Sequence, residues 1–410
     1  MPIRTRPRTQ DIVVAGGGIA GLALALAVRR ACPGATVTLC DPRPAHPARS
    51  PRAVAVAAGA RRFLGDLDAW QAVAAEAQPI TAMTITDSRP EDAPRPVYLD
   101  FAGEAEPGEP FAHMVFHDDL RTALAERCTA QGVTIVRDRV TGFRLGGGAL
   151  LAEAATGVLR ARLLVAADGG RSRLREAAGI GTLARDYGQA GIVATLSHDI
   201  SHEGRATQHF LPEGPLAILP LRAADGSPRR VSLVWTTSLA EARRLVALSP
   251  EAFVAALQGR IGRDYGALAL EDVPSAHALR LVLPRRLVAE RVALLGDAAR
   301  TIHPLAGQGL NLGLRDAAVL AELAAERLSL GLDPGDAETL DAYQRARRFD
   351  ALAMAVMTDG LNRLFSNDTL PVRLLRDVGL GLVDRLPRLK RSFMRDAAGL
   401  AGRVPRSFTR

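Results

Sequence analysis

The chain has 410 residues, 48% of them apolar and 23% charged, with 52 basic against 44 acidic side chains and a formal charge of +8. That length suggests two domains and an appendage rather than one small core. Ten basic and three acidic residues fall in Pro371 to Arg410, so +7 of the +8 lies there; the remainder is nearly neutral, which argues against a diffuse basic surface for nucleic acid. Cys32, Cys40 and Cys128 show neither metal-ligand spacing nor a framework of pairs, so no metal centre is expected and a reducing cytoplasm fits.

Asp11 to Ala15 reads as a short buried parallel strand. Gly16, Gly18 and Gly21 follow in GxGxxG order and lead into a helical run, Leu22 to Arg30. Gly16 permits the tight turn, Gly18 lets backbone approach a pyrophosphate, and Gly21 allows close helix–strand packing. A second apolar strand, Ala35 to Cys40, ends at Asp41, whose carboxylate is placed to accept both hydroxyls of an adenosine ribose. Together these features predict dinucleotide binding. The same apolar stretch follows Arg4, Arg6 and Arg8, but it is shorter than a membrane span and is already explained by a strand and a helix.

Pro90 to Pro96 and Pro107 to Pro110 border loops. Asp118 is expected to cap a helix over Asp119 to Cys128. Val133 to Val136 is the next strand, Thr141 to Arg160 reads as hairpin-like with a turn at Gly146-Gly147-Gly148, and Leu163 to Ala167 is a buried strand ending in Asp168-Gly169. Between Tyr187 and Leu281 the pattern changes to short alternating strands, Ala206 to Phe210, Leu216 to Leu221 and Val231 to Thr236, as in an antiparallel meander inserted into the nucleotide fold. His209 on this meander either enters a pocket or is satisfied between strands; His198 and His202 offer no convincing ligand set.

Val292 to Leu295 returns as a parallel-type strand and delivers GDAARTIHPLAGQGLNLGLRDA, Gly296 to Ala317, a glycine-punctuated loop running into an amphipathic helix. In the basic tail, Leu382, Leu386, Leu389, Phe393, Ala397 and Leu400 recur at three- and four-residue steps, with Pro387 placed to begin a helix. That pattern suits a core-docking helix with a solvated basic face, or contact with an anionic membrane or acidic partner.

GxGxxG with Asp41, SPRAVAVAAG, AADGGRSRLRE and the distal glycine loop occur in the order seen in FAD-dependent aromatic hydroxylases. The chain resembles their ubiquinone-biosynthesis (UbiH-type) branch through YGQAGIVATLSHD, RATQHFLPEGPLAILPL and RRFDALAMAVMTDGLNRLFSND. The resemblance implies an α/β fold: a Rossmann-like FAD-binding domain with an inserted antiparallel substrate sheet, like p-hydroxybenzoate hydroxylase, and a helical C-terminus. Segments 1–78, 113–186 and 283–365 would form the FAD domain, 79–112 and 187–282 the substrate domain, and 366–410 the basic C-terminus.

By the same resemblance Gly16, Gly18 and Gly21 face the FAD pyrophosphate, Asp41 the adenosine ribose, and Arg52 and Arg121 the phosphate and ribityl region. Val140 supplies backbone contacts to adenine. Asp168 and Gly169 pack near the pyrophosphate and are implicated in use of the nicotinamide donor. Asp297 binds the ribityl chain, and Gly307, Gly309, Leu310 and Asn311 present N–H groups to the flavin's pyrimidine edge, where a helix N-terminus favours the anionic reduced ring. Pro304 lines the space where O2 and substrate meet; His303 fixes the loop or moves a proton.

The implied activity is ring hydroxylation of a polyprenylated phenol through a flavin hydroperoxide, using O2 and electrons from NAD(P)H or a separate reductase. The implied location is the cytoplasm or the inner membrane face, reached through the basic C-terminus or a biosynthetic complex. Two features depart from the family pattern: Arg300 stands where GDAAH has His, and Asp41 replaces the commoner Glu. Hydroxylation of a soluble aromatic acid, and a flavin-fold binding protein without turnover, are the alternatives. A plain NAD dehydrogenase would leave the loop from Gly307 to Asn311 without purpose.

Overall fold

A computed structural model describes residues 9–44, 46, 50–87, 97–102, 104–303, 307–365, 398–400 and 404–409. Gln10–Ala15 lies between Val37–Cys40 and Gly157–Ala166, all parallel, with Thr134–Val136 parallel at the edge beyond Val37–Cys40. The second half of Gly157–Ala166 pairs in parallel with Val292–Leu294, while its first half turns antiparallel onto Ala149–Ala154 and thence Val140–Gly146. The central parallel strands, Gln10–Ala15, Val37–Cys40 and Val292–Leu294, are almost wholly buried because helices cover them, which is why they read as continuous apolar runs.

Helix Ile19–Ala31 packs along Gln308–Ser329. A Cβ on Gly313 would stand 3.3 Å from the Gly296 Cα and 3.5 Å from the Ala20 Cβ. This close crossing joins motifs that lie almost three hundred residues apart in sequence.

A second sheet carries Thr182–His198, Arg205–Leu211, Gly214–Leu221 and Arg230–Ser238, flanked by Ala82–Asp87 and Val97–Ala102. The meander is antiparallel, but Arg205–Leu211 pairs with Ala82–Asp87 in parallel, so the sheet is mixed. Its back packs Ile192, Leu216 and Trp235 on Phe253 and Leu257 of helix Pro250–Ile261. A small third sheet, Ala53–Ala57, Ala112–Phe116 and Gln78–Ile80, bridges the two. Its Ala55 and Met114, with the adjoining Phe111, share an apolar cluster with Met83, Ala206 and Leu219 of the second sheet.

One expectation is corrected. The helix after this bridge runs His117–Ala130, with Phe116 at its N-cap and no capping side chain. Asp118 sits inside the first turn and accepts hydrogen bonds from the backbone N–H and hydroxyl of Ser50, at 2.9 and 2.6 Å. The helix begins early because the strand before it feeds straight into it, leaving Asp118 to tie down a loop far away in sequence.

The chain end is docked. Phe408, 1% exposed, stacks on Phe63 with ring centroids 5.9 Å apart, and the N–H of Gly59 donates to Ala398 O. Leu400 is buried there, whereas Leu382 to Ala397 and the helix expected from Pro387 lie outside the described residues.

Candidate active site

Three helices are closed by serines, Ser172, Ser238 and Ser249, whose hydroxyls accept first-turn N–H groups. The two glycine-led helices are not. Gly18 caps Ile19–Ala31 and Gly307 caps Gln308–Ser329, neither with a capping side chain. Their N-caps therefore offer the first N–H groups no side-chain oxygen, which leaves the positive helix end unmasked by its own cap.

The glycines divide into two kinds. A Cβ on Gly16 would stand 2.1 Å from Ala167 O, with φ at +122°, and one on Gly21 would stand 2.1 Å from Gly16 O. These two hold the turn and the helix against the sheet. A Cβ on Gly18 or Gly309 would meet nothing within 4 Å. Open space in front of uncapped N–H groups is what a pyrophosphate and an anionic ring edge require, so these residues fit FAD.

Asp41, at the end of its strand, accepts from the N–H of Gly17. Arg43 donates to both of its oxygens, the guanidinium at 3.0 and 2.8 Å and the backbone N–H at 2.8 Å. Burial opposes ionisation, but the Arg43 and Gly17 hydrogen bonds outweigh it and hold the carboxyl below its ordinary value. Gly17 and Arg43 were not singled out in sequence. Both flank residues that were, which is the signal that could have found them.

Arg121 is buried and donates to Gly17 O and Pro44 O, both at 2.9 Å, so it braces the glycine turn from behind. Asp168 accepts from the hydroxyl of Ser172, while Gly169 takes a positive φ of 88° beside open space. Val140 is buried at the start of its strand, opposite Ala154. Asp297 occupies the short turn Gly296–Ala298, reached by solvent yet surrounded by protein. Burial raises its carboxyl; Arg52, Arg300 and His117 pull it down without cancelling the rise.

Asn311 is tied by its side chain. Its oxygen accepts from Ala57 N at 2.9 Å and its amide donates to Ala55 O at 3.0 Å, fixing the helix start to the bridging sheet. Gly307 adopts the left-handed conformation at φ 63°, and Leu310 packs on the main core. His303 is 1% exposed and packs edge-on against Tyr187, centroids 5.3 Å apart. Pro304 lies outside the described residues. His209 is buried on the rear of the second sheet, where its Nδ1 meets Thr86 Oγ1 at 2.6 Å, so it is satisfied between strands rather than aimed at the cleft.

Two arginines were overlooked in sequence. Arg175 donates to Ala298 O and Gly170 O, both at 3.0 Å, clamping the Asp168-Gly169-Gly170 corner to the Asp297 turn. Arg175→Met should lower stability by about 1–3 kcal/mol by orphaning buried carbonyls, and loosen FAD; thermal denaturation and flavin titration check both. Arg347, 0% exposed, shares Asp316 with Arg300. The departure at Arg300 is thus a buried ion pair rather than a group facing the cleft.

Asp118 has a pH consequence. Burial would raise its carboxyl, but hydrogen bonds from Ser50 and His117 bring it down to about 2. A carboxyl lower in the folded than the unfolded state stabilises above its unfolded pKa of about 4 and loses that contribution on acidification. The stability gap between wild type and Asp118→Asn should be full at neutral pH and close as pH falls from about 4 to about 2. Chemical unfolding across that range tests it.

Two glycine-led helices packed on one another, with a separate second sheet joined through a small bridging sheet, are the build of an FAD-dependent aromatic hydroxylase. The family described as FAD binding domain matches residues 9–358. Ubiquinone hydroxylase UbiL of Rhodospirillum rubrum is 40% identical over 401 residues, covering 96% of this chain and 90% of that one. The 3-demethoxyubiquinol 3-hydroxylase of Escherichia coli is 31% identical, covering 95% of this chain and 98% of its own. Rat ubiquinone biosynthesis monooxygenase COQ6, mitochondrial, is 30% identical, with 94% and 90% covered. In fold, p-nitrophenol 4-monooxygenase PnpA of Pseudomonas putida superposes with a TM-score of 0.78 at 21% identity, over 97% of this chain and 100% of its own. The chain belongs to the FAD binding domain family, within its branch of ubiquinone-type monooxygenases, and is an FAD-dependent monooxygenase.

Proposed function

We propose that this enzyme hydroxylates the ring of a polyprenylated phenol on the way to ubiquinone, taking electrons from NAD(P)H or a separate reductase. The observation that carries this is the 40% identity to a ubiquinone hydroxylase over nearly both whole chains. FAD, once bound and reduced, activates O2 for transfer of one oxygen atom to the ring.

The chain's part is placement. The first N–H groups behind Gly18 hold the pyrophosphate, and Asp297 takes the ribityl hydroxyls near Arg52. A ribose at Asp41 competes with the half-exposed Arg43 for the same oxygens. The N–H groups of Gly309, Leu310 and Asn311 face the pyrimidine edge, favouring negative charge there. His303 packs against Tyr187 ahead of that helix. Asp168 and Gly169 border the pyrophosphate where a nicotinamide donor arrives.

Among the described residues no helix is long and apolar enough to cross a membrane. We assign uptake of a greasy substrate, from a bilayer surface or a protein complex, to the basic C-terminus. The test is the quinone profile of a strain lacking this protein. Accumulation of a named under-hydroxylated prenylphenol is expected, and an unchanged profile would sink the reading.

A further inference from the structure

The second sheet has two faces, and the register separates them. His209, Leu216, Trp235 and Ile192 are lateral neighbours on the rear, against the helices. The alternate set, Gln208, Ala217, Val234 and Val193, crosses the same four strands on the opposite face and continues to Ile85 on Ala82–Asp87. Met83, Ala206 and Leu219 lie on that face too, and they pack on the bridging sheet whose Ala55 and Ala57 hold Asn311. This face is therefore turned toward the cofactor helix.

Ile85, Ala217, Val234 and Val193 are only half-buried, so solvent reaches an apolar floor. Among them stands one polar side chain. Gln208 is 6% exposed, and its amide makes no hydrogen bond among the described residues. Its amide atoms are not sealed from solvent, so a ligand that displaces water from this floor must replace the hydrogen bonds that water makes there, and Gln offers both a donor and an acceptor. The row carries no cation to neutralise a carboxylate, whose burial beside apolar side chains would be strongly unfavourable.

Resting on the proposed hydroxylase reading, we infer that Gln208 is a substrate-binding residue that hydrogen-bonds a ring oxygen, and that this floor selects an uncharged phenol over an aromatic acid. Its amide oxygen accepts the phenol O–H or its N–H donates to a ring oxygen, while the four aliphatic neighbours cover the ring and its apolar substituent.

The test uses the FAD-loaded full chain with 2-prenylphenol and 4-hydroxybenzoate, reading binding from the perturbed flavin spectrum and turnover from product. Wild type should bind 2-prenylphenol at least about 10-fold tighter than 4-hydroxybenzoate. Gln208→Leu should weaken the phenol about 10-fold at unchanged flavin occupancy. Gln208→Arg should raise affinity for the acid. Equal affinity of wild type and Gln208→Leu for 2-prenylphenol, at full flavin occupancy, overturns the role of Gln208. Equal binding and turnover of the acid by wild type overturns the selection while leaving the hydroxylase class standing. A wild type that holds FAD but binds and hydroxylates neither compound overturns both this inference and the proposed function.

Discussion

Gly18→Ala should fold as stably as the wild type and fail to retain FAD. The backbone at Gly18, with φ −72° and ψ 171°, is extended and open to any residue, and its added Cβ would meet no protein atom within 4 Å. Nothing in the folded chain resists the methyl. A pyrophosphate drawn against the first N–H groups of Ile19–Ala31 would meet it at once, and losing one or two charge-assisted hydrogen bonds at about 1.5–3 kcal/mol each weakens binding by roughly 10- to 10,000-fold. Gly16→Ala supplies the contrast. There the left-handed φ of +122° and a 2.1 Å approach to Ala167 O mean that the strand turn itself must shift, so stability and flavin are lost together. Urea unfolding of the apoproteins, set beside flavin titration, separates the cases. Wild-type affinity in Gly18→Ala would remove the pyrophosphate from this turn.

Much of this frame is legible in sequence because it is written in local spacing. Gly16, Gly18, Gly21 and Asp41 belong to one strand–helix–strand unit, and the distal glycines precede a helix of plain amphipathic period. What escaped was every decision made across distance. Asp118 has the residue type and position of a cap, yet its partner is Ser50, and no local rule points there. Arg175 is one arginine among several in AADGGRSRLRE; only the fold brings Ala298 to it. On the substrate strand, alternation tells that Gln208 and His209 face opposite ways, but not which faces the cofactor. That depends on the register with Ala82–Asp87, a parallel pairing that a simple meander does not suggest.

Asp316 carries the second large effect, and here the sequence did hold a signal. It stands four residues from both Leu312 and Leu320, on the apolar stripe of its helix, where a carboxylate needs a buried cation. The fold supplies two: Arg300 at 2.6 Å and Arg347 at 2.6 Å, with Arg347 also reaching Asp350 at 2.6 Å. One buried carboxylate thus ties the turn that presents Asp297 to the cofactor helix and to the long helix Ala337–Phe365. That last helix also holds the preceding strand, since the Tyr343 hydroxyl donates to Leu294 O at 2.8 Å. Asp316→Ala leaves the Arg300 guanidinium uncompensated in the interior and Arg347 with Asp350 alone, and removing one partner of such a buried pair costs about 3–5 kcal/mol. We expect a steep loss of urea stability and of flavin together. Arg300→His should cost less, because an imidazole N–H can still donate to Asp316 while Arg347 keeps its bond. If Arg300→His proved as damaging as Asp316→Ala, the arginine would be doing more than closing this ion pair; if Asp316→Ala were neutral, the buried carboxylate would not be what holds the three elements together.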